Sequence, residues 1–451
     1  MATLGACRAP GQGDSGDVDG LVADLRRRGR ELGLAAVGIA PAAPMLGTRR
    51  VLEQRKSEGL AGGMQFTYRD PVRSTDPGRA LPGAKSIVVG AWRYAPGGAP
   101  ALPGAVTAPP AEVEVVGSGG GRPQGAVVRY AQSDHYEKLR KVLGELAALL
   151  RGRGWSARVL VDDNALVDRA AAERAGLGWY GKNANILLPG QGSWFVLGSV
   201  VTDALLPPGS QVADGCGPCQ RCLRSCPTGA LIAPGTLDAR RCLAWLLQAE
   251  GVFPFEYRAA LGARIYGCDD CQESCPANRV GTKSPAPPPG DRAVTLASRG
   301  AAAGAWPEPG PAPGPSLGTL PLARGPHEGQ DATVAVDILD MLHATDDELL
   351  GAFGRWYIPR RDPRYLRRNA LIVLGNTGDG SSPEVEEVLR RYLSGPDELL
   401  CAHAVWAAAR LGRLDLLQGF SSGPAGTPAS SLGLVGRELE LASQVEQRRA
   451  R

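Results

Sequence analysis

Cys216-Gly-Pro-Cys219-Gln-Arg-Cys222-Leu-Arg-Ser-Cys226-Pro227 is the stretch on which the reading of this chain turns. Four thiols spaced C-x2-C-x2-C-x3-C-P have the ligand pattern of a [4Fe–4S] cluster. Three close thiolates wrap one cube from a tight turn, and the fourth, followed by proline, points toward a neighbouring cluster. A second run, Cys268-Asp-Asp-Cys271-Gln-Glu-Ser-Cys275-Pro276, lies downstream, with Cys242 between the two. Zinc ribbons also pair C-x2-C, but they rarely add a third cysteine after two residues and a fourth before proline. Disulfides would require a secretory route. The first seventeen residues, MATLGACRAPGQGDSGD, show no basic start followed by an apolar run, so no signal peptide is expected.

The crossover rule sorts the eight cysteines. Cluster one takes Cys216, Cys219, Cys222 and the distant Cys275. Cluster two takes Cys226, Cys268, Cys271 and, by elimination, Cys242. Two clusters side by side make a wire for single electrons. Cys7 and Cys401 stand apart and read as ordinary small residues.

Composition sets the frame around this motif. The 451 residues include 61 glycines and 37 prolines, well above the average usage of about 12% for the two together. The excess concentrates in residues 95–125 and 281–330, which read as a flexible insertion and a Pro/Gly/Ala-rich linker. With 43% apolar residues in the chain to build cores, wholesale disorder and collagen are excluded. Length suggests two to four domains. A net charge of +4 neither demands nor excludes a nucleic acid, so any basic patch must be local. The best uncharged stretch, Leu32–Gly47, is too short to span a bilayer and is broken by Pro41 and Pro44. A cytoplasmic protein with no membrane segment is expected.

Upstream of the clusters, Arg158–Val161 reads as a short buried strand and Ala165–Ala175 as a helix. Asp163 or Asn164 is placed to cap that helix, and Gly176 to end it in a left-handed conformation. Asp162 is left at the carboxyl end of a strand, where α/β sites gather their chemistry. From position alone a capping or solvated aspartate is favoured over a catalytic one. Gly176-Leu-Gly178-Trp-Tyr-Gly181-Lys182 matches G-x-G-x-x-G but closes a helix, whereas a dinucleotide fingerprint follows a strand and opens one. These glycines instead let the backbone approach something flat or bulky. Ser193–Val201 reads as a further buried strand.

Taken together, Asp162, Arg169, Ala175-Gly-Leu-Gly-Trp-Tyr-Gly-Lys-Asn183, both cysteine runs and Tyr266-Gly-Cys-Asp-Asp-Cys-Gln272 resemble the epoxyqueuosine reductases. These are iron–sulfur, cobalamin-dependent enzymes that complete queuosine at the wobble position of tRNA. The resemblance covers roughly residues 18–280 and 330–415. It implies an α+β architecture of three parts. An α/β-type cobalamin- and substrate-binding domain (nitroreductase-like) would span 18–205. A ferredoxin-like domain with two [4Fe–4S] clusters would span 206–280, and HEAT-like helical repeats 331–420, with 421–451 as a tail.

By the same residue matching, Asp162 would be the general acid that protonates the epoxide oxygen, with Asp163 the weaker candidate. Arg169 would contact substrate. Arg73, Asp162, Lys182, Asn183, Ile186 and Asp270 would contact cobalamin. His135 is the only histidine before the clusters, and Asp134-His-Tyr136 reverses the family's usual order, so it reads as a surface or core histidine. The partners implied are the tRNA anticodon stem-loop and an external low-potential donor of ferredoxin or flavodoxin type, with the protein a monomer. A reductive dehalogenase acting on small organohalides, or a non-catalytic electron-transfer or RNA-binding protein, are the alternatives.

Beyond the linker, residues 368–375 and 402–412 resemble one another at an offset of 34, the mark of stacked helix pairs. Residues 355–368, RWYIPRRDPRYLRR, interleave six arginines with Trp356, Tyr357 and Tyr365. That composition suits a phosphate backbone and unstacked bases, and equally a solvated helical face.

Overall fold

The computed structural model describes residues 18–95, 121–278, 335–418, 420 and 433–449. The 281–330 linker, nearly all of the 95–125 insertion and much of the 421–451 tail lie outside the described residues. The chain forms two compact units. The first joins Met1–Thr107, Ser133–Arg240 and Asp269–Trp306; the second joins Ala108–Gln132, Arg241–Cys268 and Pro307–Arg451. Residues 206–280 therefore contribute to both units.

The first unit is built on a four-stranded sheet of β1 (Ala36–Pro41), β2 (Ser86–Arg93), β3 (Ala157–Val161) and β4 (Phe195–Thr202), in the order β1-β2-β4-β3. Every pairing in it is antiparallel. Central strands β2 and β4 are almost unbroken apolar runs because helices cover both sides. Helices α1 (Val18–Glu31) and α2 (His135–Gly152) pack on one face through Leu21, Leu25, Leu139, Leu143 and Leu146, against Ile39, Val88 and Val200. Helix α3 (Asp168–Arg174) packs Ala171 and Ala172 on the other, against Ile87, Val89 and Val201. Neighbouring residues such as Val88 and Val89 thus face opposite cores, as the pleat requires. Gly90 and Gly198 pair in register, and together they form the slot that seats Leu143.

Two local expectations change here. A short apolar run identifies a strand but not the direction of its partners. Asp162 does follow the end of β3, yet the sheet is antiparallel, so its place is not the switch point of a parallel sheet. The helix expected from residue 165 begins only at Asp168, and no side chain caps it. Asp163 instead accepts the Ala165 amide at 2.8 Å, which makes a turn of the intervening residues. The far end is as expected. Gly176 sits at φ +72°, and the amides of Gly176 and Leu177 reach the carbonyls of Glu173 and Ala172. That paired bonding is a Schellman stop.

The second unit combines a small sheet with helices. Gln124–Val127 lies between a parallel strand, Arg264–Tyr266, and an antiparallel one, Ala335–Asp337. Helices Arg364–Thr377, Pro383–Leu393 and Glu398–Arg410 follow, and Leu434–Arg449 closes the described chain. The two segments that resemble each other at an offset of 34 are the first and third of those three helices. Their contact is close enough that a Cβ on Gly375 would lie 2.6 Å from the Trp406 ring.

Candidate iron–sulfur and acid site

Cluster one's proposed ligands all belong to the first unit. Cys222 rides on a short helix, Arg221–Ser225, and Cys275 follows another, Asp270–Glu273. Ser225 Oγ and Ser274 Oγ join the two segments at 2.7 Å. The Cys216 amide is held by the Asp214 carboxylate at 2.9 Å. All eight motif cysteines are free thiols. Burial pushes the Cys222 thiol up to about 11, and the nearby Cys275, Cys216 and Cys219 add to the rise. Burial chiefly raises Cys275 as well, with Cys216 and Cys219 again contributing. Four thiolates gathered at one place repel one another without a cation and form a ligand set with one, so these residues fit a cluster. Among the described residues no three metal-binding side chains converge as a site for a single ion. A [4Fe–4S] cube would take one thiolate on each of its four irons, which sets the ligand sulfurs farther apart than those around one tetrahedral ion.

Of the second set, Cys226 and Cys271 belong to the first unit, and Cys242 and Cys268 to the second. Cys226 Sγ accepts the Ala230 amide at 3.2 Å. Cys242 precedes the helix Leu243–Leu246.

The G-L-G-W-Y-G-K-N stretch shapes the surroundings of cluster one. Trp179–Tyr180 pairs with Ile186–Leu187 as a short hairpin. A Cβ on Gly178 would lie 2.0 Å from the Leu187 carbonyl oxygen, so this glycine admits the chain's own backbone. The Trp179 indole N–H donates to Cys216 Sγ at 3.4 Å. The Lys182 ammonium donates to the carbonyls of Gly217 and Cys219, the latter at 3.0 Å. Asn183 is buried, donates to the Cys271 carbonyl at 3.5 Å and accepts the Asn185 amide. Ile186 is buried in the core beneath α3. A network that sequence reading did not find anchors the second cysteine run. Buried Gln272 accepts from Tyr94 Oη at 3.2 Å and Ser193 Oγ at 3.0 Å, while buried Asn278 donates to the Gln272 carbonyl at 2.7 Å.

The second element of the site is a group of carboxyls after β3. Asp162 has φ +53°, a left-handed conformation that Asp and Asn tolerate better than most residues. Its residue reaches solvent, yet enough protein crowds the carboxyl to raise its pKa. Desolvation is the largest cause, the positive charge of Arg140 opposes it, and Asp163 adds to it. Arg140 lies on α2, and its guanidinium also donates to the Val161 carbonyl at 3.4 Å. Asp168, at the start of α3, is pushed well above the carboxylate range. Burial is again the main cause and Asp162 the next, with Arg169 opposing. Asp163 has its side chain committed to the turn. This leaves Asp162 as the carboxyl that is both exposed and readily protonated. Sequence reading missed Arg140 and Asp168; the available signal for Arg140 was its place one helical turn beyond Tyr136.

The remaining candidates are more dispersed. Arg169 and Arg73 are exposed, and Asp270 opens its short helix, its carbonyl accepting from Ser225 Oγ. His135 lies 2.9 Å from Ser133 Oγ at the first turn of α2. In the second unit, the arginines of residues 355–368 are bound internally. Arg355, Arg361 and Arg368 donate to backbone carbonyls, while Arg360, Arg364 and Arg367 pair with Glu250, Asp362 and Asp346. Trp356 and Tyr365 are buried, but Tyr357 is 41% exposed. Arg368 is wholly buried, whereas Arg355, Arg360, Arg361 and Arg364 are exposed while holding partners within the chain.

Residues 215–278, which hold all eight cysteines, match the 4Fe-4S double cluster binding domain family. Epoxyqueuosine reductase of Vibrio cholerae is 30% identical over 398 residues, 87% of this chain and 92% of that protein. The Bacillus cereus enzyme is 36% identical over 266 residues, 58% of this chain and 66% of its own length. A crystal structure of an epoxyqueuosine reductase with an epoxyqueuosine-modified tRNA-Tyr stem loop has a TM-score of 0.70 at 25% identity, covering 94% of this chain and all of that one. A selenomethionine-labelled epoxyqueuosine reductase has a TM-score of 0.70 at 24% identity and covers 95% of this chain.

Proposed function

The chain belongs to the epoxyqueuosine reductase family, and on that basis we propose that it reduces epoxyqueuosine to queuosine in tRNA. The observation that carries this reading is the union, in one unit, of four gathered cluster thiols with an exposed, readily protonated Asp162. Removing the epoxide oxygen consumes two electrons and two protons, and it leaves a carbon–carbon double bond and water. Cluster one would be held by Cys216, Cys219, Cys222 and Cys275, and cluster two by Cys226, Cys242, Cys268 and Cys271. Each cluster passes one electron at a time.

Cobalamin, when bound, supplies the reducing metal centre toward which those electrons run. The chain's fit to it rests on Asp162, whose accessible carboxyl retains its proton to higher pH than a free aspartate. That is what a general acid beside a reducing centre requires. Asp162 delivers its proton to the departing oxygen, and exposed Arg169 contacts the substrate. Arg73 and Asp270 are proposed to face the corrin. Lys182, Asn183 and Ile186 have their side chains engaged within the protein, so corrin contacts from this stretch are proposed through its backbone.

The wobble base must leave its stack to reach the acid. Exposed Tyr357, with Arg360 and Arg361 beside it, is the proposed RNA contact of the second unit. Exposed ion pairs such as Arg360–Glu250 are worth little and exchange readily for phosphate. A nitroreductase-like first domain, HEAT-like repeats, a cytoplasmic location, a monomeric state and an external ferredoxin- or flavodoxin-type donor complete the proposal. Among the described residues no helix is long and apolar enough to cross a membrane.

The test is a substrate comparison. Protein purified without oxygen and reconstituted with iron, sulfide and cobalamin is offered an epoxyqueuosine-bearing stem loop, or a small aryl halide, under a strong reductant. Queuosine from the stem loop with the halide untouched is expected. Dehalogenation without queuosine would overturn the proposal.

A further inference from the structure

We infer that Trp179 tunes the reduction potential of cluster one through its indole N–H, an inference that rests on the cluster assignment above. Trp179 is not a ligand, and it lies 37 residues from Cys216, outside both cysteine runs. The ring is nevertheless held in place. A Cβ on Gly215 would lie 2.7 Å from the indole, so the residue next to the ligand must be small for the ring to lie there. The hairpin pairing of Trp179 with Leu187 fixes the backbone. Lys182, three residues on, grips the carbonyls of Gly217 and Cys219 and so fixes the ligand loop relative to the same hairpin. The N–H then meets Cys216 Sγ at 3.4 Å.

The physical consequence follows from charge. A cluster that takes up one electron places more negative charge on its sulfurs. A hydrogen bond to a ligand sulfur is therefore stronger in the reduced state and raises the potential. The Lys182 ammonium acts in the same direction, since a nearby cation favours the more negative state. In cluster two, Cys226 Sγ meets the Ala230 amide at 3.2 Å and the Thr228 hydroxyl at 3.7 Å, so a substitution at Trp179 removes neither bond. The bond raises the potential of the cluster that Trp179 touches, by an amount that a single residue sets.

The experiment is an EPR-monitored redox titration of the full-length reconstituted protein and of Trp179→Phe, with iron and sulfide content measured on both. Phenylalanine retains a ring over Gly215 and removes the donor. One of the two midpoint potentials is expected to fall, the reduced-to-oxidised ratio at fixed potential dropping up to tenfold, about 59 mV for a one-electron couple. The other midpoint should stay in place. Unchanged midpoints, or equal movement of both, would overturn the inference, since a merely structural role lowers iron retention without moving one potential. Should the Phe variant lose a cluster, Trp179→His keeps an N–H donor and is expected to hold the parent midpoint; a tenfold drop there overturns the inference. A parent protein that binds no cluster refutes the assignment itself, whereas two clusters without a shift refute only the role of Trp179.

Discussion

Asp162 allows the chemical role of a residue to be separated from its structural one, because asparagine and alanine perturb different properties of it. Burial raises the pKa of the carboxyl above that of an ordinary aspartate, and the backbone is held at φ +53°. Asparagine tolerates that backbone but has no proton to give. Loss of a positioned general acid lowers rate by about 10²–10⁴, which is roughly 2.7–5.4 kcal/mol of transition-state stabilisation. Stability should behave differently. A carboxyl whose folded pKa is raised above its unfolded value makes a contribution that is complete at acid pH and lost as pH rises through the folded pKa. At neutral pH the Asn variant is therefore expected to be as stable as the parent or slightly more so. Alanine removes the acid too, but it also meets the left-handed backbone, which disfavours L-residues with ordinary side chains by about 1–2 kcal/mol. Relative to Asn, a loss near 1 kcal/mol corresponds to a fall in Tm of about 2–4 °C for a unit of this size. The assay pairs single-turnover conversion of epoxyqueuosine tRNA with thermal unfolding and cluster content. Undiminished turnover in Asp162→Asn would refute the acid assignment. An Ala variant as stable as the Asn variant would refute the backbone argument.

Other substitutions probe the surroundings. Arg140→Met removes the cation that holds the Asp162 pKa down, so the alkaline limb of the rate–pH profile should move to higher pH; a stationary limb would show that Arg140 does not act on the acid. Gly178→Ala places a Cβ 2.0 Å from the Leu187 carbonyl, where backbone must shift, and iron content should fall toward that of one cluster in a colorimetric assay. In the second unit, Glu438 pairs through both oxygens with the wholly buried Arg258, at 2.8 and 2.6 Å. Glu438→Ala leaves that guanidinium buried without its partner and should cost about 3–5 kcal/mol in urea unfolding.

The parts of this protein that could be read from sequence are those where chemistry fixes spacing. Cluster ligation demands thiols at set intervals, so C-x2-C-x2-C-x3-C-P announced itself, and the comparison with known families matches the same residues. Gly176 as a helix stop was legible because only a residue at ease with positive φ ends a helix that way. Strand direction was not legible, since apolar runs look alike in parallel and antiparallel sheets. Nor were partners. Six arginines in fourteen residues looked like an open face, but Arg368 is fully buried against the carbonyls of Leu246, Ala249 and Gly251. The grip of the Lys182 ammonium on the carbonyls of Gly217 and Cys219 was hidden too, since no local pattern links those positions. The bond from Trp179 to Cys216 spans two segments that meet only once the hairpin has formed, and no local pattern encodes it.

The most direct test is nucleoside mass spectrometry of epoxyqueuosine-bearing tRNA after incubation with the reduced, cluster- and cobalamin-loaded protein. A product lighter by one oxygen atom and identical to queuosine is expected from the parent, its formation greatly slowed in Asp162→Asn. Epoxyqueuosine left intact by a parent protein that holds both clusters and binds the tRNA would contradict the proposed function.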